Sequence, residues 1–122
     1  MWIDKINLKS FRNYSTTEVN FTDKINIFIG DNAQGKTNLL ESLYYLANAT
    51  SFKKIRDKDI ISFKKNSMNL SGLIRKGIYF KDVSIEVDDQ GKKISVNGVK
   101  YERNKDLKAL FSLALFLSLI HI

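Results

Sequence analysis

Residues 30 to 37 read Gly30-Asp31-Asn32-Ala33-Gln34-Gly35-Lys36-Thr37 and satisfy G-x-x-x-x-G-K-[ST] at every position. No other feature narrows the fold of this chain as far. The pattern works only as a tight turn between a buried strand and a helix, because its backbone N–H groups must converge on one anion. Gly30 and Gly35 permit backbone angles that a Cβ would forbid. Asp31, Asn32, Ala33 and Gln34 complete the loop and lend it backbone N–H groups. Lys36 brings a flexible ammonium toward the β and γ phosphates, and Thr37 offers its hydroxyl to Mg²⁺. By composition alone, roughly one chain in a hundred of this length would carry the motif. The ligand it predicts is ATP or a close relative, with Mg²⁺.

The flanks supply the required context. Ile25 to Ile29 is a short apolar run, as in a strand buried on both faces. After the loop, Leu39, Leu43 and Leu46 recur at helical spacing, and Leu40, Tyr44 and Ala47 widen the stripe. The spacing predicts a helix from near Lys36 to near Asn48. Upstream, residues 3 to 9 alternate with Ile6 and Leu8 on one face. Residues 16 to 21 alternate through Thr17, Val19 and Phe21, and Asn13-Tyr14-Ser15 is the expected turn. A short helix is expected around Asp57 to Ser62. Beyond Met68 the pattern predicts strands at Leu70–Arg75, Tyr79–Val87 and Lys92–Val96. Gln90-Gly91 and Asn97-Gly98 are turn dipeptides, and a helix is expected from near Arg103.

Composition removes several chemistries. The 122 residues include no cysteine, which rules out disulfides and thiolate metal sites. His121 is the lone histidine, so an imidazole metal site lacks its second ligand. No nucleophile carries a paired base. Asp4, Lys5 and Asn7 interrupt any secretory signal, so the expected compartment is the cytoplasm. A net charge of +7 favours polyanionic partners. The charge concentrates between residues 51 and 66, where Lys53, Lys54, Arg56, Lys58, Lys64 and Lys65 face only Asp57 and Asp59. Read functionally, this is a DNA-facing patch carried by Lys53, Lys54 and Arg56; read plainly, it is a solvated loop. The uncharged end of the chain, Ala109 to Ile122, is shorter than the roughly 18 to 20 residues that span a bilayer.

Three stretches together carry a family resemblance. They are Leu8-Lys9-Ser10-Phe11-Arg12-Asn13-Tyr14, the loop with Asn38-Leu39-Leu40-Glu41 behind it, and Ser51-Phe52-Lys53-Lys54-Ile55-Arg56-Asp57. The chain resembles the start of the RecF family of bacterial DNA replication and repair proteins, from the N-terminus to Phe111. That family is similar to SMC-type ATPase heads. The resemblance implies an α/β fold, lobe one of an ABC-type head with a mixed sheet and antiparallel strands, here truncated. It implies ATP-dependent binding of single-stranded and gapped DNA, work with RecO and RecR, a link to the SOS response and an ATP-dependent homodimer. It also implies that Arg12 and Asn13 touch the nucleotide; read alone, Arg12 is a basic residue at a strand end.

The family's signature motif and Walker B carboxylates belong to a later part of its sequence, so these residues are expected to bind ATP without hydrolysing it alone. Leu70-Ser71-Gly72 opens like a signature motif, but Leu73 and Ile74 break it. Val83 to Asp89 ends in acids but alternates like a half-exposed strand. Residues 112–122 lack the proline and acids the family carries there, and are expected to be a read-through or frame error. Two alternatives stay open: another P-loop ATPase, of SMC or transporter type, and an inert fragment.

Overall fold

The structure, a computed structural model, describes residues 2–21, 33–76 and 78–108. Side chains are described for all of these except Trp2, Ala33 to Lys36, Lys76 and Lys108. The expected strand Ile25–Ile29 and the expected boundary at Phe111 lie outside the described residues.

Six strands form one sheet: β1 (Trp2–Phe11), β2 (Tyr14–Asn20), β3 (Met68–Lys76), β4 (Tyr79–Asp88), β5 (Gly91–Val96) and β6 (Val99–Tyr101). Their spatial order is β2-β1-β3-β4-β5-β6, and every pairing among the described residues is antiparallel. Of the expected mixed sheet with antiparallel strands, the described residues hold the antiparallel part. Helix α1 (Ala33–Asn48) and the short α2 (Asn104–Lys108) accompany the sheet.

Alternation explains the buried face. Ile6 and Leu8 of β1, Leu70 and Ile74 of β3, Val83, Ile85 and Val87 of β4, and Ile94 and Val96 of β5 are all buried. Ile3 and Ile6 are three apart yet both buried, which a regular strand forbids. The register slips between Ile3 and Lys5, and this bulge at Asp4 returns Ile3 to the core face.

Helix α1 lies on that core through Leu39, Leu43, Leu46 and Tyr45. Gly72 lets it approach. A Cβ there would stand 2.6 Å from the Lys5 carbonyl and 2.7 Å from Leu46 Cδ2. The Leu70-Ser71-Gly72 stretch thus serves packing. The helix starts at Ala33, three residues before the expected Lys36, because Ala33 and Gln34 favour helix and Gly35 is tolerated in a first turn. Its burial also extends further round than the leucine stripe, to Glu41 and Ser42.

The end of α1 borrows its charge. Ala49 takes φ 57, a position glycine usually fills, and its N–H bonds the Tyr45 carbonyl at 2.7 Å. No basic residue stands in the last turn of α1. Lys92 of β5 supplies the cation instead, donating to the Ala49 carbonyl.

Turn chemistry sets one of the connections and packing another. Asn97 and Gly98 take φ 50 and 82, as a tight Asn-Gly hairpin requires. The strand it returns into, β6, is only Val99–Tyr101, too short for alternation to mark it in the sequence. The β1–β2 turn is Arg12-Asn13 rather than Asn13-Tyr14-Ser15, since Phe11 pairs with Tyr14. The expected helix around Asp57–Ser62 is a single 3-10 turn, Asp57–Asp59.

Candidate nucleotide-binding site

The first turn of α1 coincides with the second half of the phosphate motif. In a helix beginning at Ala33, the N–H groups of that turn have no intrahelical acceptor. No acidic residue stands in this turn to occupy the positive end of the dipole. Thr37 is exposed. Gly30, Asp31 and Asn32 lie outside the described residues, and of Ala33, Gln34, Gly35 and Lys36 only the backbone is described. What is described suits an anion: N–H donors without an intrahelical acceptor, a positive dipole end and no competing carboxylate in the turn. Among the described residues no cluster of acids and histidines forms a metal site of its own.

The β1–β2 turn docks beside this helix start. Arg12 Nε donates to Glu41 Oε1 at 2.8 Å and its Nη2 to Oε2 at 3.0 Å, a bidentate pair. Asn38 Nδ2 donates to Asn13 Oδ1 at 3.0 Å. Asn38 directly follows Thr37, and Glu41 lies one helical turn beyond it. Arg12 and Asn13, named by resemblance alone, are therefore brought to the same helix end as the phosphate loop.

Arg12 holds an unusual backbone. Its φ of 52 is disfavoured for any residue with a Cβ. Two bonds fix it: its N–H donates to the Ile60 carbonyl at 2.8 Å, and Ser62 Oγ donates to its carbonyl at 2.6 Å. Arginine is no turn signal, which is why the turn was expected one residue late.

Glu41 closes one of the stretches that carry the resemblance, yet no site role was expected for it. Its side chain is fully buried. Burial pushes its pKa up; the hydrogen bonds from Arg12 and Ser51, with the fields of Arg12 and Lys53, outweigh that and leave it below the ordinary value. The Glu41 bond in turn raises the Arg12 pKa against the opposing effect of burial. An acid inside a leucine stripe was the available signal, though its partner 29 residues upstream was not visible.

The basic segment starts from the same carboxylate. Ser51 Oγ donates to Glu41 Oε2 at 2.6 Å and accepts the Lys53 N–H at 3.0 Å. Lys53, Lys54 and Arg56 are exposed. Arg56 reaches Asp59 only at 3.3 and 3.4 Å. A second polar cluster fixes the middle of the segment. Asp57 accepts from Tyr45 OH at 2.7 Å and pairs with Lys92 Nζ at 2.9 Å. Burial, then the Asp57 bond, pushes the Tyr45 phenol far above its ordinary range. No helix among the described residues is long and apolar enough to cross a membrane.

Known proteins share both the sequence and this arrangement of strands and helix. The family model of the AAA ATPase domain matches residues 1–115. The DNA replication and repair protein RecF of Clostridium botulinum (strain Eklund 17B / Type B) is 44% identical over 117 residues, which is 95% of this chain and 32% of that protein. RecF of Streptococcus pneumoniae (strain CGSP14) is 40% identical over 116 residues, with the same coverage of 95% and 32%. The chain thus spans about a third of the length of these curated relatives. The solved recombination mediator protein RecF-ATP in the RecFOR pathway superposes with a TM-score of 0.80 at 30% identity, covering 86% of this chain and 29% of that one. The SMC head domain from Thermotoga maritima superposes at 0.68 with 20% identity, over 92% of this chain and 43% of that one, a likeness of fold alone.

Proposed function

We propose, from the premise that this chain belongs to the AAA ATPase domain family, that it is the ATP-binding part of a RecF-type DNA replication and repair ATPase. Its match to RecF over 95% of its own length supports that setting. The observation that carries the reading is the docking of Arg12 and Asn13 onto Glu41 and Asn38, immediately behind Thr37. It brings a guanidinium and an amide beside the helix end at which the motif holds phosphates. Two Arg12 N–H groups are committed to Glu41, and in this reading the remaining ones face the nucleotide.

In this reading Gly30, Asp31, Asn32, Ala33, Gln34, Gly35 and Lys36 hold the phosphates of ATP. Thr37 faces its Mg²⁺, and Arg12 and Asn13 complete the contact. The Mg²⁺ supplies charge neutralisation between the β and γ phosphates when bound. Lys53, Lys54 and Arg56 face single-stranded or gapped DNA. RecO and RecR, an ATP-dependent homodimer, the SOS response and a cytoplasmic setting are the wider context proposed for the protein. The role assigned to these residues is binding rather than turnover.

ATP and DNA should then be linked. Anisotropy of a labelled gapped duplex, titrated with the protein with and without ATP and Mg²⁺, is expected to show tighter binding with nucleotide. Equal affinity in both conditions would count against the proposal.

A further inference from the structure

The basic segment holds two phenylalanines, and the fold treats them differently. Phe52 sets its ring edge-on against Tyr44, with centroids 5.6 Å apart and planes at 89°. Phe63 is 89% exposed. Burying an aromatic ring is worth far more than leaving it in water, and Phe63 is the most exposed of the large hydrophobic side chains among the described residues.

Nor is Phe63 on a loose tip. The preceding residue is fastened to β1 and the turn after it: Ser62 N–H donates to the Ser10 carbonyl at 2.9 Å, and Ser62 Oγ to the Arg12 carbonyl at 2.6 Å. The turn closes through Lys65 N–H on the Ser62 carbonyl at 3.0 Å, with Lys64 at φ 65. Ile61 bridges to Phe11. The backbone is thus anchored while the ring is held outward. Its immediate neighbours, Lys64 and Lys65, are exposed cations, and Lys64 Nζ lies 5.7 Å from the ring centroid. A protein partner that buried this ring would have to desolvate those ammonium groups as well. A polyanion with an aromatic face has no such conflict. The exposed group Ile78, Tyr79 and Phe80 lies at the opposite end of β3, where Arg75, 5.7 Å from the Phe80 ring, is paired with Asp4.

We infer that Phe63 is a stacking platform for an unpaired nucleobase of single-stranded nucleic acid, with Lys64 and Lys65 set against the adjoining phosphates. The inference rests on the proposed DNA role of the basic segment and adds what distinguishes single from double strands. A paired base offers no free face to the ring; an unpaired one does. Because Ser62, next to Phe63, is anchored to the Arg12 carbonyl, the platform is fixed to the same turn whose side chain is proposed to face the nucleotide site.

The test compares a labelled single-stranded oligo-dT with a blunt duplex of equal length, across several salt concentrations, for the wild-type protein, Phe63→Ala and Phe63→Trp. For Phe63→Ala the expectation is roughly tenfold weaker single-strand binding, the scale of one stacked base. The salt slope and the duplex affinity should not move, since no charge is removed. Phe63→Trp should retain single-strand affinity, and its fluorescence should fall on binding. Equal losses on both DNAs, or no loss on either, would overturn the platform, and the second result would leave the ring to a protein partner. A wild-type protein that binds neither DNA would instead overturn the proposed DNA role beneath it.

Discussion

Removing Arg12 should destabilise the fold by an amount that depends on pH. The fully buried Glu41 carboxylate receives three donors: Arg12 Nε at 2.8 Å, Arg12 Nη2 at 3.0 Å and Ser51 Oγ at 2.6 Å. Arg12→Ala takes two of them and the compensating charge. Breaking a buried pair costs about 3–5 kcal/mol. The Arg12 side chain is 24% exposed, so water can partly fill its place, which points to the lower end, about 3 kcal/mol. That is a large share of the roughly 5–15 kcal/mol that holds a domain. In the wild type the Glu41 pKa is lowered on folding, so its stabilisation is present above the unfolded value near about 4.3 and is lost as pH falls through the folded value. In Arg12→Ala burial dominates and should raise the folded pKa above the unfolded one. The penalty is then full at neutral pH and relieved as pH falls and the carboxyl takes a proton. Urea unfolding followed by circular dichroism from pH 8 to pH 4 should show the gap between the two proteins narrowing with acid. Adding Glu41→Gln to Arg12→Ala should recover most of the stability at neutral pH. A gap that stays constant with pH, or is under about 1 kcal/mol at neutral pH, would refute the reasoning.

Two further outcomes follow from other parts of the fold. Neutralising Lys53, Lys54 and Arg56 to Ala should weaken DNA binding and reduce the slope of log affinity against log salt by up to about three, near one for each phosphate no longer neutralised. An unchanged slope, measured by anisotropy, would return that segment to the status of a solvated loop. Gly72→Ala should destabilise the protein by about 1–3 kcal/mol or more, because the new methyl meets the Lys5 carbonyl, which no side-chain rotation can move. An unaltered melting temperature would contradict the packing of α1 on the sheet.

Sequence patterns revealed most of this architecture wherever a local rule set the structure. The helix end at Asn48, the strands of the Met68–Val96 region and the Asn97-Gly98 hairpin all follow from period and turn chemistry. What escaped was long-range. Arg12 turns the chain because Ile60 and Ser62, some fifty residues on, hold its backbone. The bulge at Asp4 exists because Ile3 must reach the core. The last turn of α1 carries no cation of its own because Lys92 arrives from β5. The site was legible in the same uneven way. The Gly30–Thr37 motif was plain, and the resemblance singled out Arg12 and Asn13. Glu41 and Ser51 stand in stretches that carry the resemblance, but nothing in the sequence pairs them with each other or links Ser62 to that turn; only folding brings them together.

The central claim is that the loop from Gly30 to Thr37 binds ATP, and titration calorimetry with ATP and Mg²⁺ tests it most directly. The account predicts saturable one-to-one binding by the wild-type protein, and none detectable for Lys36→Ala at unchanged fold. Equal affinity in the two proteins would contradict it.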